Sequence, residues 1–442
     1  FPKPINPILI SFIIMFSPNN LYDYLRYKYN GSTKSIVIRS FARHGSKDLF
    51  DLHDSHIWRP DLTKIPSSYL GNCDLYDQEP VDFNSINISP EGYKLGIEHR
   101  TNYDLYNNLS KEDFIFNHAS AVYTPIICHS EKNSPEIAKF KKNHYSDVHY
   151  WWHGLISRDW FRYWRHYNRR YNEKSKRFGI YARDATGSRK YRINVLDRLT
   201  EFNKHIHYSI RPLIKQQIIE ANKLGILSKW SCVNTDISSD ASAQIDWGDC
   251  PLFDIQIVPE TLFDTEKIHL TEKIFKPIVM YQPFILFSGP NGLQYLRDYG
   301  FKTFDGIWDE SYDLETNSDR RFNKIINLIR NISNLNTNDY QKLINKTISI
   351  VEHNRKHFYS QEFEDILLNE LYNGIDVALQ EQQQKFYNMP GGTWFYYLNK
   401  LYEMGLDISN INRGNIIKIL SYMKLRHPTI TRDIIKKYNH LF

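Results

Sequence analysis

The sequence predicts an α/β protein of two facing Rossmann-like domains followed by a helical C-terminal region. Three observations predict it. Short β-branched and aromatic runs recur as far as the Lys302–Phe304 run, each followed by turn residues and a helical pattern. Most are continuously apolar rather than alternating, the mark of parallel strands covered on both faces. From Asp319 onward that signal ends and helical periodicity takes over. A chain of 442 residues suits about two or three domains. With 41% hydrophobic and 24% charged residues it lies near the globular average, which excludes disorder, collagen and coiled coil as the main architecture.

In chain order, the strands expected of the first domain (residues 1–155) are Ser35–Arg39, Asp74–Tyr76, Phe114–Phe116, Pro125–Cys128 and Val148–Trp152. Those of the second (156–335) are Phe178–Ala182, His205–Ile210, Phe253–Val258, Pro283–Phe287 and Lys302–Phe304. Ligands of such folds bind where strands end at their carboxyl edges, here in the cleft between the two domains. The third region, 336–442, is expected to be helical, broken at Met389-Pro390-Gly391-Gly392 and at Pro428. Just before it, Phe322, Ile325, Ile326 and Ile329 recur at helical spacing. The last helices either return to brace the first domain or form a binding module of their own.

Several classes drop out. Cys73, Cys128, Cys232 and Cys250 lie far apart with no C-x-x-C pair, against a disulfide scaffold or zinc ribbon and for a reducing, cytoplasmic compartment. The apolar run Ile8 to Phe16, interrupted by Ser11, is shorter than the ~20 residues of a spanning helix, so a soluble protein without a membrane partner is expected. There is no G-x-x-x-x-G-K-[ST], G-x-G-x-x-G, H-E-x-x-H or D-x-D, so nucleotide P-loops, dinucleotide folds and zincins fall away and no metal or cofactor is expected.

Two stretches carry chemistry. Thr271-Glu272-Lys273 follows the strand Phe253–Val258 and opens a helix. Thr271 is a good N-cap, and the helix start carries partial positive charge suited to an anion. Lys273 adds a full charge and Glu272 a carboxylate for sugar hydroxyls, the pair a nucleotide-diphosphate sugar requires. A capped helix with a surface Glu-Lys pair has the same sequence, and this reading stays open. Earlier, the strand Phe178–Ala182 runs into Arg183-Asp184-Ala185-Thr186-Gly187-Ser188-Arg189 and a helix from about Tyr191. Backbone amides, the Thr186 and Ser188 hydroxyls and the forked guanidinium groups of Arg183 and Arg189 make an anion cradle.

Thr271-Glu272-Lys273 with its apolar helix resembles the Thr-Glu-Lys signature of the inverting α-1,3-fucosyltransferase family, and the earlier strand–loop–Arg189-x-Tyr191–helix looks like that family's first donor-domain unit. The resemblance spans about residues 178–315. It implies a GT-B glycosyltransferase in which Lys273 and Arg189 neutralise the diphosphate of a UDP- or GDP-linked sugar, Glu272 holds the sugar, and no metal takes part. Gly300 to Asp305 and Trp308 to Asp313 are also similar to glycosyltransferase-like proteins of bacteriophages and large viruses, which implies the cytoplasm of an infected host.

An inverting transferase needs a base in the acceptor half. Glu79, in Leu75-Tyr76-Asp77-Gln78-Glu79-Pro80, is the first choice and Asp77 the second; Glu79-Pro80 is faintly similar to the fucosyltransferase turn that carries the base. His129, after Pro125–Cys128, is another cleft residue, and His44 is placed to meet acceptor or phosphate.

The acceptor is read from charge. Arg158 to Arg192 holds twelve Lys/Arg against Asp159, Glu173 and Asp184. On a helix over 157–171, Arg158, Arg162, Arg165 and Arg169 share one face, with Trp160, Trp164, Tyr167 and Tyr171 on roughly the opposite one. If the aromatic face packs inward, the arginine face suits a phosphate backbone. One expectation is therefore a hydroxymethylated base of double-stranded DNA, flipped from the stack. The others are a glycan acceptor on a soluble linker helix and a non-catalytic sugar- or nucleic-acid-binding protein.

Overall fold

The computed structural model describes residues 21–29, 35–39, 56–58, 72–76, 125–129, 132, 134–143, 147–166, 176–182, 185, 187–210, 245 and 252–387. Two sheets are built from these residues. The first has β1 (Ser35–Arg39), β2 (His56–Trp58), β3 (Asn72–Tyr76), β4 (Ile126–Cys128) and β5 (Val148–Tyr150) in the order β2-β1-β3-β4-β5. All its pairings are parallel except that of β2, which runs antiparallel to β1 at the edge. The second has β6 (Lys176–Ala182), β7 (Ile206–Ile210), β8 (Phe253–Pro259) and β9 (Phe284–Phe287), wholly parallel, in the order β7-β6-β8-β9. Phe178, Ile180, Ile255, Ile257, Ile285 and Phe287 are almost without solvent contact, as continuous apolar strands require. Gly179 of β6 admits the Phe253 ring of β8, which a Cβ there would meet at 2.3 Å.

Among the described residues the α-helices are α1 (Leu21–Tyr29), before the first strand, α2 (Pro135–Asn143), α3 (Gly154–Phe161), α4 (Tyr191–Leu199), α5 (Glu272–Val279) and α6 (Gly292–Asp298), between or after strands, and then α7 (Ser318–Ser333), α8 (Thr337–Phe358) and α9 (Gln361–Tyr387) in succession. In α7, Ile325, Ile326 and Ile329 are buried and Phe322 is partly so, as their spacing predicts. The last described helix returns to the first sheet: Glu370 of α9 accepts the Trp152 backbone N–H at 2.9 Å, and Glu381 meets His149 of β5 at 3.0 Å. Across α9 lies α1, whose Tyr24 and Tyr29 hydroxyls donate to Glu364 and Asp376. Trp152, beyond β5, joins the halves: its indole N–H donates to Leu270 O at 3.0 Å, and its ring sits among Phe275, Tyr295, Tyr299 and Phe363. Side chains of both sheets belong to one buried cluster.

Three expectations change. Lys302–Phe304 is not a strand: the Lys302 N–H is taken by the Asn354 side chain at 2.7 Å and the Phe304 N–H by Glu310 at 2.8 Å, so side chains replace a ladder partner. His56–Trp58, absent from the expected strands, is the short edge strand. The helix expected over 157–171 is α3 ending at Phe161, then a 3-10 turn at Arg162–His166; residues 167–175 lie outside the described residues. So does the expected strand Phe114–Phe116.

Candidate functional site

The second sheet reverses its strand order between β6 and β8, because the chain steps outward from β6 to β7 and then returns to the other side of β6. A crevice opens outside the carboxyl ends at such a switch point. Both stretches singled out from the sequence flank it: the turn after β6 leads into α4, and the loop after β8 leads into α5.

Glu260 joins the two. It follows Pro259, the last residue of β8, and is fully buried. Its carbonyl accepts the Tyr191 hydroxyl at 2.5 Å and the Arg192 guanidinium at 2.9 Å, both from the first turn of α4. Its carboxylate accepts the Thr271 N–H at 3.1 Å and the Thr271 hydroxyl at 2.8 Å. Lys273 Nζ in turn donates to Thr271 Oγ1 at 2.9 Å and to Glu272 Oε1 at 2.9 Å. Thr271 thus stands in extended conformation at the N-cap position, but its hydroxyl does not cap the helix amides as expected: it donates to the buried Glu260 carboxylate and accepts from Lys273 Nζ instead.

Exposure sorts these groups. The Lys273 side chain is 28% exposed and Glu272 only 8%. Burial alone would raise the Glu272 pKa, but Lys273, His153 and Lys276 outweigh it and hold the carboxyl well below its ordinary range. Burial raises that of Glu260. Ser188 is exposed and Arg189 half-exposed on the 3-10 turn Gly187–Arg189, where Gly187 takes φ 53°. Tyr191 is buried against Phe263, with ring centroids 4.8 Å apart.

The carboxyl ends of the first sheet reach the same place. His129 follows β4, His153 lies three residues beyond β5, and both meet the β8–α5 loop, with the His129 and His269 rings 4.9 Å apart and those of His129 and His153 5.0 Å apart. Lys267 of that loop pairs with Glu136 of α2 at 2.5 Å. Among the described residues, no group of three or more His, Cys, Asp or Glu could hold a metal ion. Burial, aided by Lys273, pulls His153 down to about 4, against an opposing pull from Glu272. Burial, with His153 and Lys273, pulls His269 down to about 3.

Both histidines are therefore neutral in the fold at pH 7 and regain an ordinary value near 6.5 on unfolding. The unfolded chain then binds more protons below pH 6.5, and stability falls as the pH drops from there toward 4. For His153 alone the loss between pH 7 and pH 5 is about 2 kcal/mol. Urea melts at the two pH values should show it, and His153→Gln should lessen it. A midpoint that stays flat over this range would mean that these rings are not held neutral.

Of the other residues singled out, Asp77, Glu79, His44, Arg169, Arg183 and Thr186 lie outside the described residues. The arginine face is corrected. Arg158 turns into the protein, donating to Phe358 O, to Ser360 O at 3.1 Å and to Glu364 of α9 at 2.7 Å. Arg162 pairs with Asp159, and Arg165 is exposed. Trp160 and Trp164 pack on the core as the opposite stripe. For Arg158 the cause is Glu364 of α9 together with the carbonyls at the end of α8 and in the α8–α9 turn, which supply what a phosphate would. No helix of the described residues is long and apolar enough to cross a membrane.

Glu260, Arg192, His153 and His269 were not singled out. For Glu260 a signal existed: an acid directly after a strand that borders the switch point.

No protein-family model matches the chain, and no curated protein matches it in sequence. Among solved structures, it is similar to the crystal structure of a mutant of S. aureus TarM in complex with Fondaparinux, alpha-GlcNAc-glycerol and UDP, with a TM-score of 0.37 and 7% identity over 69% of this chain. This chain spans 55% of that one's length. At that distance the likeness decides neither fold nor function.

Proposed function

We propose that this protein is a glycosyltransferase of the GT-B kind that moves a sugar from a UDP- or GDP-linked donor to a hydroxyl acceptor, with inversion and without a bound metal. The reading is carried by one observation: the half-exposed Lys273 beside the buried Glu272, at a helix start bordering the switch point and tied through Glu260 to the turn bearing Arg189. Lys273 and Arg189 neutralise the donor diphosphate, and the partial charge of the α5 N-terminus adds to them. Glu272 holds a sugar hydroxyl. The acceptor oxygen attacks the anomeric carbon as the bond to the diphosphate breaks. Its proton passes to a carboxylate of the first half, Glu79 or, failing that, Asp77.

For the acceptor we take a glycan hydroxyl over double-stranded DNA, because Arg158 and Arg162 are engaged within the protein. Duplex DNA binding that weakens steeply with salt would reverse that choice.

A thermal-shift screen with nucleoside diphosphates tests the donor site. One of them at about 100 times its Kd should stabilise the fold by about 2.7 kcal/mol. If none raises the midpoint and no nucleotide sugar is turned over, the reading is wrong.

A further inference from the structure

We propose that Glu260 is a positioning residue that sets the place of Lys273 through the Thr271 hydroxyl, an inference that rests on the donor site proposed above. The Glu260 carboxylate makes no hydrogen bond to Lys273 and does not reach the surface; besides attracting the ammonium through space, it decides what Thr271 offers to it. A hydroxyl has one proton to give and lone pairs to receive. The Thr271 proton goes to Glu260 Oε2 at 2.8 Å, so only lone pairs remain for the Lys273 ammonium, which donates into them at 2.9 Å.

The carboxylate itself is fixed. Its other oxygen holds the Thr271 N–H, and its own backbone is held on both sides, by N–H donation to Phe287 O at 3.0 Å and by the Tyr191 and Arg192 bonds to its carbonyl. A lysine ammonium on a flexible four-carbon stem gains from such an anchor what a guanidinium carries in its own planar geometry. One buried acid thereby registers the cation after β8 with the turn after β6.

Glu260→Gln inverts the relay. The amide oxygen still accepts the Thr271 N–H, but its NH₂ now donates to the hydroxyl, occupying one lone pair and freeing the proton from the carboxylate, and the carboxylate's attraction for the ammonium is lost. The affinity for the nucleoside diphosphate that stabilises the wild-type chain is expected to fall about tenfold, as measured by calorimetry. In a Lys273→Ala background the same change should cost less than twofold, because the effect acts through Lys273.

Equal losses in the two backgrounds would make Glu260 a general brace and overturn the proposal, as would unchanged affinity in Glu260→Gln. Should that variant not fold, Thr271→Ser and Thr271→Val test the same link. Near wild-type affinity for Ser with a tenfold loss for Val supports it, and any other pattern, including loss of the fold in both, overturns it. Absence of any nucleoside diphosphate binding by the wild-type chain is a separate result, which removes the donor site itself.

Discussion

Lys273→Ala is expected to lower sugar transfer by about 10²–10³-fold, the usual cost of deleting one preorganised group that meets charge developing in a transition state. The fold should survive, since the side chain is partly exposed at a helix start and is not among the buried residues of the core. A smaller stability cost follows from its neighbour. Glu272 is buried and is held ionised chiefly by Lys273 against the pull of burial. A carboxyl held below its ordinary value contributes stability above its unfolded pKa and loses it as the pH falls through that range. Without Lys273 that contribution shrinks, and about 1–2 kcal/mol should be lost at pH 7. Adding Glu272→Gln should restore most of the stability and none of the transfer. Chemical denaturation beside a transfer assay separates the two effects, and a Lys273→Ala variant that transfers sugar normally would end the donor assignment.

The second large effect concerns Arg321 of α7, whose residue is 1% exposed. Its guanidinium donates to Ser288 O at 3.0 Å, Glu315 O at 2.7 Å and Thr316 O at 3.2 Å, and also to Phe263 O, while its plane lies 4.6 Å from the Phe263 ring. It thus ties together the loop after β8, the loop after β9 and the turn before α7. Arg321→Ala leaves buried carbonyls unpaired and a cavity behind Phe263, and should cost about 4 kcal/mol. Arg321→Lys should recover less than half of that, because a single ammonium cannot reach the acceptors of a planar fork. Urea unfolding with unchanged m-values reads both. A loss below about 1 kcal/mol for Arg321→Ala would show that the three segments do not depend on this hub.

The strands that proved easiest to read are those buried on both faces. Phe253–Val258 and Pro283–Phe287 are legible because strands covered on both faces are dominated by apolar residues, and the structure moves one limit of each by a single residue. The edge strand His56–Trp58 has no such constraint, since three residues paired on one side need no apolar run. Lys302–Phe304 misled for the opposite reason. Phe301 and Phe304 are apolar because they fill the core, while the nearby Glu310 and the distant Asn354 hold the backbone in place of a neighbouring strand.

The same division runs through the site. Thr271-Glu272-Lys273 and the Arg189 turn stand out locally, because a helix start and a basic turn announce themselves within a few residues. Glu260, eleven residues before Thr271, is marked in the sequence only by its place directly after a strand; its burial and its bonds to Thr271 come from the fold. Arg158 was read from helical spacing alone as facing solvent; Glu364, 206 positions away, draws it inward.

By itself, then, the amino-acid order determined where the chain alternates strand with helix and where charge gathers beside a helix start, since both follow from periodicity and from neighbours along the backbone. Which charges remain open to a ligand and which are spent inside the protein was decided only by packing. A titratable group's state depends on desolvation and on partners brought together from distant segments, and neither exists until the sheets, α5 and α9 have met.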